Sequence, residues 1–387
     1  MNANLKLITL EFSEWNGDRL NWKVEKISLD DFNMLISDNA QGKTKFLNIL
    51  KFLHNVHTGK IIFNNPNYRS TFILTFKDGE DTIVYSIQLN GVKTGQGLLF
   101  NEIVKRNETV LFDREKNILI EENTGKSIDK FLLASTTPVI STFNGSGYKT
   151  FNDLQYFFQR MLFLDANRFP PNIAFTDVGM GNKDSMILNS QSSNIGYVIA
   201  NWKEKMPQVY NDVIKIFKEC FSYITDIYLK EEPMGAFHVP VLFFKEKNVD
   251  HDVGQLEWSD GVYRSLSHFI LGCTQYFQQD KDSIVRPSLI GVDEFENGLD
   301  YNTLRKVISH YESYSNLFQV LITTHSPIAC NMIDPKHWII LRRKGSIVKS
   351  FRPEDVEDLE SQRKKLKVDN WEFYRRHIST SGIYQIK

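Results

Sequence analysis

The chain has 387 residues, of which 41% are hydrophobic and 24% charged, and a formal net charge of −1. That length supports one large or two modest domains with an ample core, and the near-neutral charge excludes a global attraction for nucleic acid, so any such contact needs a local patch. No apolar run approaches the roughly 20 residues of a membrane span, and the opening MNANLKLITLEFSEW lacks a basic-then-apolar leader, so a cytoplasmic protein without membrane contact is expected.

Residues 5–15 and 20–29 read as strands around the Asn16-Gly17 turn and lead into an apolar strand, Phe32 to Ile36. The next stretch, Ser37-Asp38-Asn39-Ala40-Gln41-Gly42-Lys43-Thr44, precedes a helical pattern through Phe46, Leu47, Ile49 and Leu50. This is the phosphate loop G-x-x-x-x-G-K-[ST] between a strand and a helix, with Ser37 at the first glycine. Its N–H groups would cradle the phosphates of ATP, Lys43 would meet the β and γ oxygens, and the Thr44 hydroxyl would hold Mg²⁺. If position 37 needs a positive φ, serine costs roughly 1 kcal/mol against glycine. Alternating hairpins follow at 71–77 with 82–89 and at 109–121, so the first 125 residues read as largely antiparallel β. The Ser/Thr/Gly-rich stretch 122–150 reads as loop.

A strand over Met161–Leu164 leads to Arg168, which is either a solvated loop arginine or a group facing the nucleotide or a partner subunit. Residues 172–194 are polar and Gly/Asn/Ser-rich, a mobile loop by composition. Apolar spacing over 195–228 predicts two amphipathic helices divided near Pro207, without the sustained heptads of a long coiled-coil arm. A strand or hairpin is expected at 236–246. Ser259-Asp260-Gly261 then opens an apolar helix, serving either as a plain cap or as an anion site. In PSLIGVDEFENGLD a buried strand delivers Asp293 and Glu294 to its C-terminal end; the first acid can hold Mg²⁺ and the second can orient or deprotonate water, unless both are simply solvated. FQVLITTHSPI supplies another buried strand ending at His325, one helix-length connection later, so the two strands are expected side by side in a parallel sheet. A hairpin turning at Lys344-Gly345 closes the pattern. In the tail, five acids within Glu354–Glu360 precede Arg363, Lys364, Lys365 and Lys367, then Trp371, Phe373, Tyr374, Arg375 and Arg376; it reads as a charged helix whose aromatics dock on the body or as a surface for nucleic acid or a partner. The cysteines, Cys220, Cys273 and Cys330, are too widely spaced for a zinc site or a disulfide framework.

Four stretches in this order, SDNAQGKT, WSDGVYRSL, LIGVDEFENGLD and ITTHSP, with the element from Leu164 to Pro170, resemble ATPases with the ABC-type fold outside transporters. The branch includes RecF-like repair proteins, OLD-family ATPases and the ATPases of antiphage systems such as PARIS, Septu and AbiL-like pairs. The resemblance covers about residues 4–50 and 155–345. It implies an α/β fold with an N-terminal antiparallel β lobe (1–170), a loop and helical insertion (171–235), a C-terminal parallel-sheet lobe (236–350) and a tail (351–387). It also implies that Lys43 and Thr44 hold phosphates and Mg²⁺, Asp293 the metal and Glu294 the catalytic water, with His325 sensing the γ-phosphate. Ser259 and Gly261 would act in trans on ATP held by a second copy, and Asp300 would lie at that dimer interface. Gln155 and Gln159 are candidates, by position only, for the glutamine that touches the metal in such folds. Ser37 and Ala40 depart from the family's glycines, and Ser-Asp-Gly replaces the transporter form Ser-Gly-Gly. A fused nuclease domain does not fit after His325, so an effector would be a separate chain. The expected function is an ATP-hydrolysing switch, acting as a head-to-tail dimer on a toxin or nuclease in bacterial antiphage defence. The rivals are a RecF-like DNA-binding ATPase and a non-hydrolysing nucleotide-dependent scaffold.

Overall fold

A computed structural model describes residues 5–16, 19–60, 63, 65–92, 97–128, 131–143, 145–165, 195–234, 237–273, 277–280, 283–285, 287–355 and 369–377. In chain order its elements begin with β1 (Lys6–Asn16), β2 (Leu20–Ser28), β3 (Phe32–Ile36), α1 (Lys43–His57), β4 (Tyr68–Asp78), β5 (Asp81–Gly91), β6 (Leu98–Arg106), β7 (Thr109–Asp113), β8 (Ile118–Glu121), β9 (Lys126–Ser127), α2 (Val139–Thr142) and α3 (Lys149–Gln159). There follow β10 (Met161–Leu164), α4 (Ile195–Lys205), α5 (Pro207–Cys220), β11 (Ile224–Met234), β12 (Phe237–Glu246), β13 (Val253–Gly254), α6 (Asp260–Cys273), β14 (Phe277–Asp280), β15 (Ser283–Val285), β16 (Leu289–Val292) and α7 (Tyr301–Tyr314). The last are β17 (Gln319–Thr324), α8 (Pro327–Met332), β18 (Trp338–Lys344), β19 (Ile347–Phe351) and α9 (Asn370–His377). The fold is α/β, as expected, and its strands form a large mixed sheet.

Two compact units divide the chain: Met1–Met161 with Gln319–Lys387, and Leu162–Phe318. Residues from 319 onward belong with the N-terminal segment because β17 and β18 flank β3 in parallel, each hydrogen-bonded along one of its edges. The strand order in the first unit is β17-β3-β18-β19-β2-β1-β4-β5-β6-β7-β8-β9. Its parallel part is buried on both faces, every residue of β3 and β17 included; Val320–Ile322 and most of β3 are apolar, and the buried Asn33 and Gln319 side chains donate to backbone carbonyls. The antiparallel part alternates: in β4, Phe72, Leu74 and Phe76 point inward and their neighbours outward. Aromatic contacts join this inner face to the helices, with Phe72 stacked on Phe52 of α1 and Phe76 edge-on to Phe157 of α3.

Strand β6 was not expected from sequence because one of its inward positions carries a carboxylate. Glu102 is fully buried, accepts hydrogen bonds from the Tyr85 hydroxyl, from Arg114 Nη2 at 2.5 Å and from Val139 N at 3.0 Å. Burial raises its pKa, against the pull of Tyr85 and Arg114. A charge at an inward site breaks the apolar alternation by which strands are read, while these three donors satisfy it in the fold.

In the second unit, β10 and β16 are adjacent and wholly buried. Helix α6 buries nearly every residue from Val262 to Cys273, whereas α5 buries one stripe, Val209, Tyr210, Val213 and Phe217. Pro207 opens α5, so the division between the two expected helices holds. The second helix, however, ends at Cys220, and Ile224 begins a strand rather than finishing a helix. Strand β11 was missed because its register with β12 shifts between Ile224 and Asp226, which disrupts the period of two.

Candidate functional site

Strand β3 ends at Ile36 and helix α1 begins at Lys43, with the phosphate loop between them in the first unit. Gly42 precedes the helix at φ +113°, a conformation open to glycine, and no side chain caps the helix there. The first turn contains no acid, so its N–H groups form an anion-attracting end. Lys43 is 95% buried by its position yet polar at its tip: with 5% of its surface exposed, its Nζ donates to Ser37 O at 2.8 Å and to Ser37 Oγ at 3.0 Å. His325, which follows β17, brings Nδ1 to 3.3 Å from the same Nζ. Thr44 is exposed on the first turn of α1, as a metal-binding hydroxyl must be. Asp38 is half-buried and Asn39 exposed.

Of the two positions at which the loop departs from glycine, the backbone strain falls on Ala40 and not on Ser37. Ser37 does not adopt a positive φ; Ala40 does, at +61°. Serine at position 37 therefore carries no conformational penalty and instead receives Lys43. Ala40 bears the penalty, and its carbonyl accepts from Arg343 Nη1 at 3.0 Å, while the Gln41 side chain accepts from Arg343 N at 2.6 Å.

The carboxylate segment lies in the second unit. Asp293 follows β16, is 8% exposed, and donates its N–H to Leu164 O at 2.9 Å. Glu294 sits at φ +44°, and its carboxylate accepts from Asn297 Nδ2 at 2.6 Å. Arg264, 3% exposed, donates to Asp293 O at 2.9 Å, Glu294 O at 2.7 Å and Asp165 O at 3.2 Å. Burial lowers the pKa of this guanidinium, opposed by Tyr311, Glu296, Glu294 and Asp293. One buried arginine thus fixes the ends of β10 and β16 and the backbone of the residue expected to orient water. Arg264 and Asn297 lie within the stretches WSDGVYRSL and LIGVDEFENGLD, but the sequence reading assigned neither of them a role.

Ser259 and Gly261 lie at the start of α6, where Ser259 Oγ accepts weakly from Val262 N at 3.4 Å. Gly261 is required by a close approach: a Cβ there would come 2.1 Å from Gly298 O. Asp300 caps α7, accepting from Asn302 N at 2.9 Å and from Thr303 Oγ1 at 2.5 Å. Slight burial would raise its pKa, but the bonds from Thr303 and Asn302 hold it lower. The structure thus gives Ser259, Gly261 and Asp300 local packing and capping roles within the unit. Gln155 and Gln159 both lie on α3. Arg168, the polar stretch 172–194 and the basic residues Arg363 to Lys367 lie outside the described residues. The tail's aromatics dock: Phe373 and Tyr374 are buried, and Tyr374 meets Trp338 edge-on.

The residues present fit a nucleoside triphosphate with Mg²⁺: an uncapped helix start, a buried lysine and an exposed threonine hydroxyl are gathered in one loop. Among the described residues no cluster of three or more His, Cys, Asp or Glu could hold a metal alone, and no helix is long and apolar enough to cross a membrane.

Residues 154–331 match the family model described as "AAA domain, putative AbiEii toxin, Type IV TA system". No curated protein matches the chain by sequence. Among solved structures, the SMC head domain from Thermotoga maritima is 12% identical, with 90% of this chain and 98% of that chain covered and a TM-score of 0.42. An SMC head bound to the C-terminal winged-helix domain of ScpA is 12% identical, covering 89% and 97%, with a TM-score of 0.48. An SMC head with an extended coiled coil, bound to the C-terminal domain of ScpA derived from Pyrococcus furiosus, is 11% identical, covering 94% and 99%, with a TM-score of 0.47.

Proposed function

We propose that this chain binds Mg-ATP on the loop Ser37 to Thr44 and hydrolyses it as an ATP-driven switch. The observation that carries the reading is Lys43, buried at an uncapped helix start with His325 Nδ1 3.3 Å from its Nζ. A buried ammonium tied to its own loop's carbonyl oxygens is a cation held ready for exchange with stronger anionic acceptors. Bound Mg-ATP would supply a phosphoanhydride activated by its metal. Lys43 would bind the phosphate oxygens, Thr44 and Asp293 would hold the metal, and His325 would report on the terminal phosphate. Glu294, its carboxylate steered by Asn297, orients the attacking water. Ser259, Gly261 and Asp300 face a second copy in a head-to-tail dimer, and Arg168 faces the nucleotide or that copy. The output is control of a separately encoded toxin or nuclease in bacterial antiphage defence. The family model matched over 154–331 carries a toxin and a TA system in its description, which motivates the toxin part of this reading and not its antiphage setting.

The test is steady-state phosphate release from Mg-ATP by the wild type and by Glu294→Gln, with the mass of each measured in ATP. Turnover in the wild type that falls about 100-fold or more in the variant, with the variant trapped as an ATP-dependent assembly, supports both hydrolysis and assembly. ATP binding without turnover in either protein would sink the hydrolytic reading and leave a nucleotide-dependent scaffold.

A further inference from the structure

Ala40 occupies a left-handed conformation, φ +61°, that strains any residue with a Cβ. Such a residue persists only where its surroundings over-determine it. Here they come from the far end of the sequence, through the turn between β18 and β19. Arg343 Nη1 donates to Ala40 O at 3.0 Å, its Nε donates to Gly345 O at 2.9 Å, and its backbone N–H donates to Gln41 Oε1 at 2.6 Å. Its guanidinium lies 4.9 Å over the Trp22 ring. A Cβ on Gly42 would reach 3.2 Å from Val348 and 3.4 Å from that same ring, so both side chains crowd the loop.

We infer that Arg343 is a positioning residue for nucleotide binding. It holds residues 40–42 in the turn that orients their N–H groups for phosphate, and so supplies by an external clamp the conformation that glycine at position 40 would adopt unaided. Arg343 acts through the loop backbone rather than on the nucleotide. Its fork geometry suits the task, because Nη1 and Nε engage the loop carbonyl and the hairpin carbonyl at once. The inference rests on the ATP-binding reading above.

The experiment is calorimetric titration of Mg-ATP into the full chain and into Arg343→Ala, Ala40→Gly, the double variant and Gln41→Ala, with the melting temperature of each recorded without nucleotide. Arg343→Ala is expected to weaken binding about fivefold or more, the factor set by leaving a strained alanine unclamped. Ala40→Gly in that background should recover most of the loss, since glycine takes a positive φ without help. Gln41→Ala should weaken binding in the same direction by a smaller factor. Wild-type affinity in Arg343→Ala overturns the inference. So does a loss that Ala40→Gly leaves unrepaired, because a direct contact with nucleotide or a general loosening of the hairpin would not respond to the backbone of residue 40. A wild-type chain that fails to bind Mg-ATP is a different failure, seen before any variant is compared, and it removes the ATP reading itself.

Discussion

Ala40 and Glu294 are both non-glycine residues with positive φ, and an arginine holds the carbonyl of each. The two solutions differ in their exposure to water. Arg343 is exposed on a hairpin, whereas Arg264 is 3% exposed and reaches three carbonyl oxygens within its unit. Water can replace the partners of an exposed guanidinium, so its loss costs little fold stability and shows mainly in loop conformation. Nothing replaces the partners of a buried one, so its loss strands carbonyls and leaves a void. The phosphate loop is therefore adjustable at small cost, and the carboxylate segment is built to stay fixed.

The sharpest way to break this comparison is Arg264→Ala. It is expected to lower the stability of the second unit by about 3–5 kcal/mol in denaturant unfolding, and Arg264→Lys should not restore it, since one ammonium cannot reproduce the planar fork. An unfolding midpoint like that of Arg343→Ala would show that burial makes no difference. Next in size is Gly261→Ala. Its Cβ would collide with Gly298 O at 2.1 Å, backbone against backbone, and relief by displacement should cost about 1–3 kcal/mol.

A third prediction contrasts the units by pH. His57 of the first unit is fully enclosed against Phe158 and Tyr85, neither ring nitrogen has a hydrogen-bond partner among the described residues, and burial, then His54, pulls its pKa down to about 3. The unfolded chain protonates this ring near its ordinary pKa while the native chain does not. Stability should therefore be intact above that value and fall as pH drops toward about 3, by about 1.4 kcal/mol per pH unit. His57→Phe should remove that contribution and stabilise the unit in acid, as urea midpoints at a series of pH values would reveal. The acid loss from the second unit's His310, whose pKa burial lowers to about 4, should persist in the variant. The smallest expected effect is Asn297→Ala: releasing the Glu294 carboxylate should lower kcat for phosphate release roughly tenfold, with little change in KM, because positioning rather than binding is lost.

Much of the architecture was legible because apolar runs and turn residues coincide, as in β3, β16 and β17 and in the Lys344-Gly345 turn. The strand–loop–helix setting of the phosphate loop and the strand ending in Asp293 were read from the same signals. What escaped were elements whose local pattern is overruled by a distant partner. Strand β6 hides behind Glu102, which only Tyr85, Arg114 and Val139 make tolerable. The clamp on Ala40 escaped because Arg343 is about 300 positions away in sequence, beyond the reach of any periodicity. Arg264 escaped because a buried arginine declares its partners only in three dimensions.

The Glu102 network has a consequence for how this chain can change over generations. Losing Arg114 or Tyr85 alone leaves an enclosed carboxylate one donor short, and losing Glu102 alone leaves a guanidinium and a phenol short of an acceptor. Each single step is deleterious, while a concerted exchange for apolar residues of similar volume is tolerated. Positions 85, 102 and 114 are thus bound to be inherited as a set, and among descendants of this chain the three would be kept or replaced together.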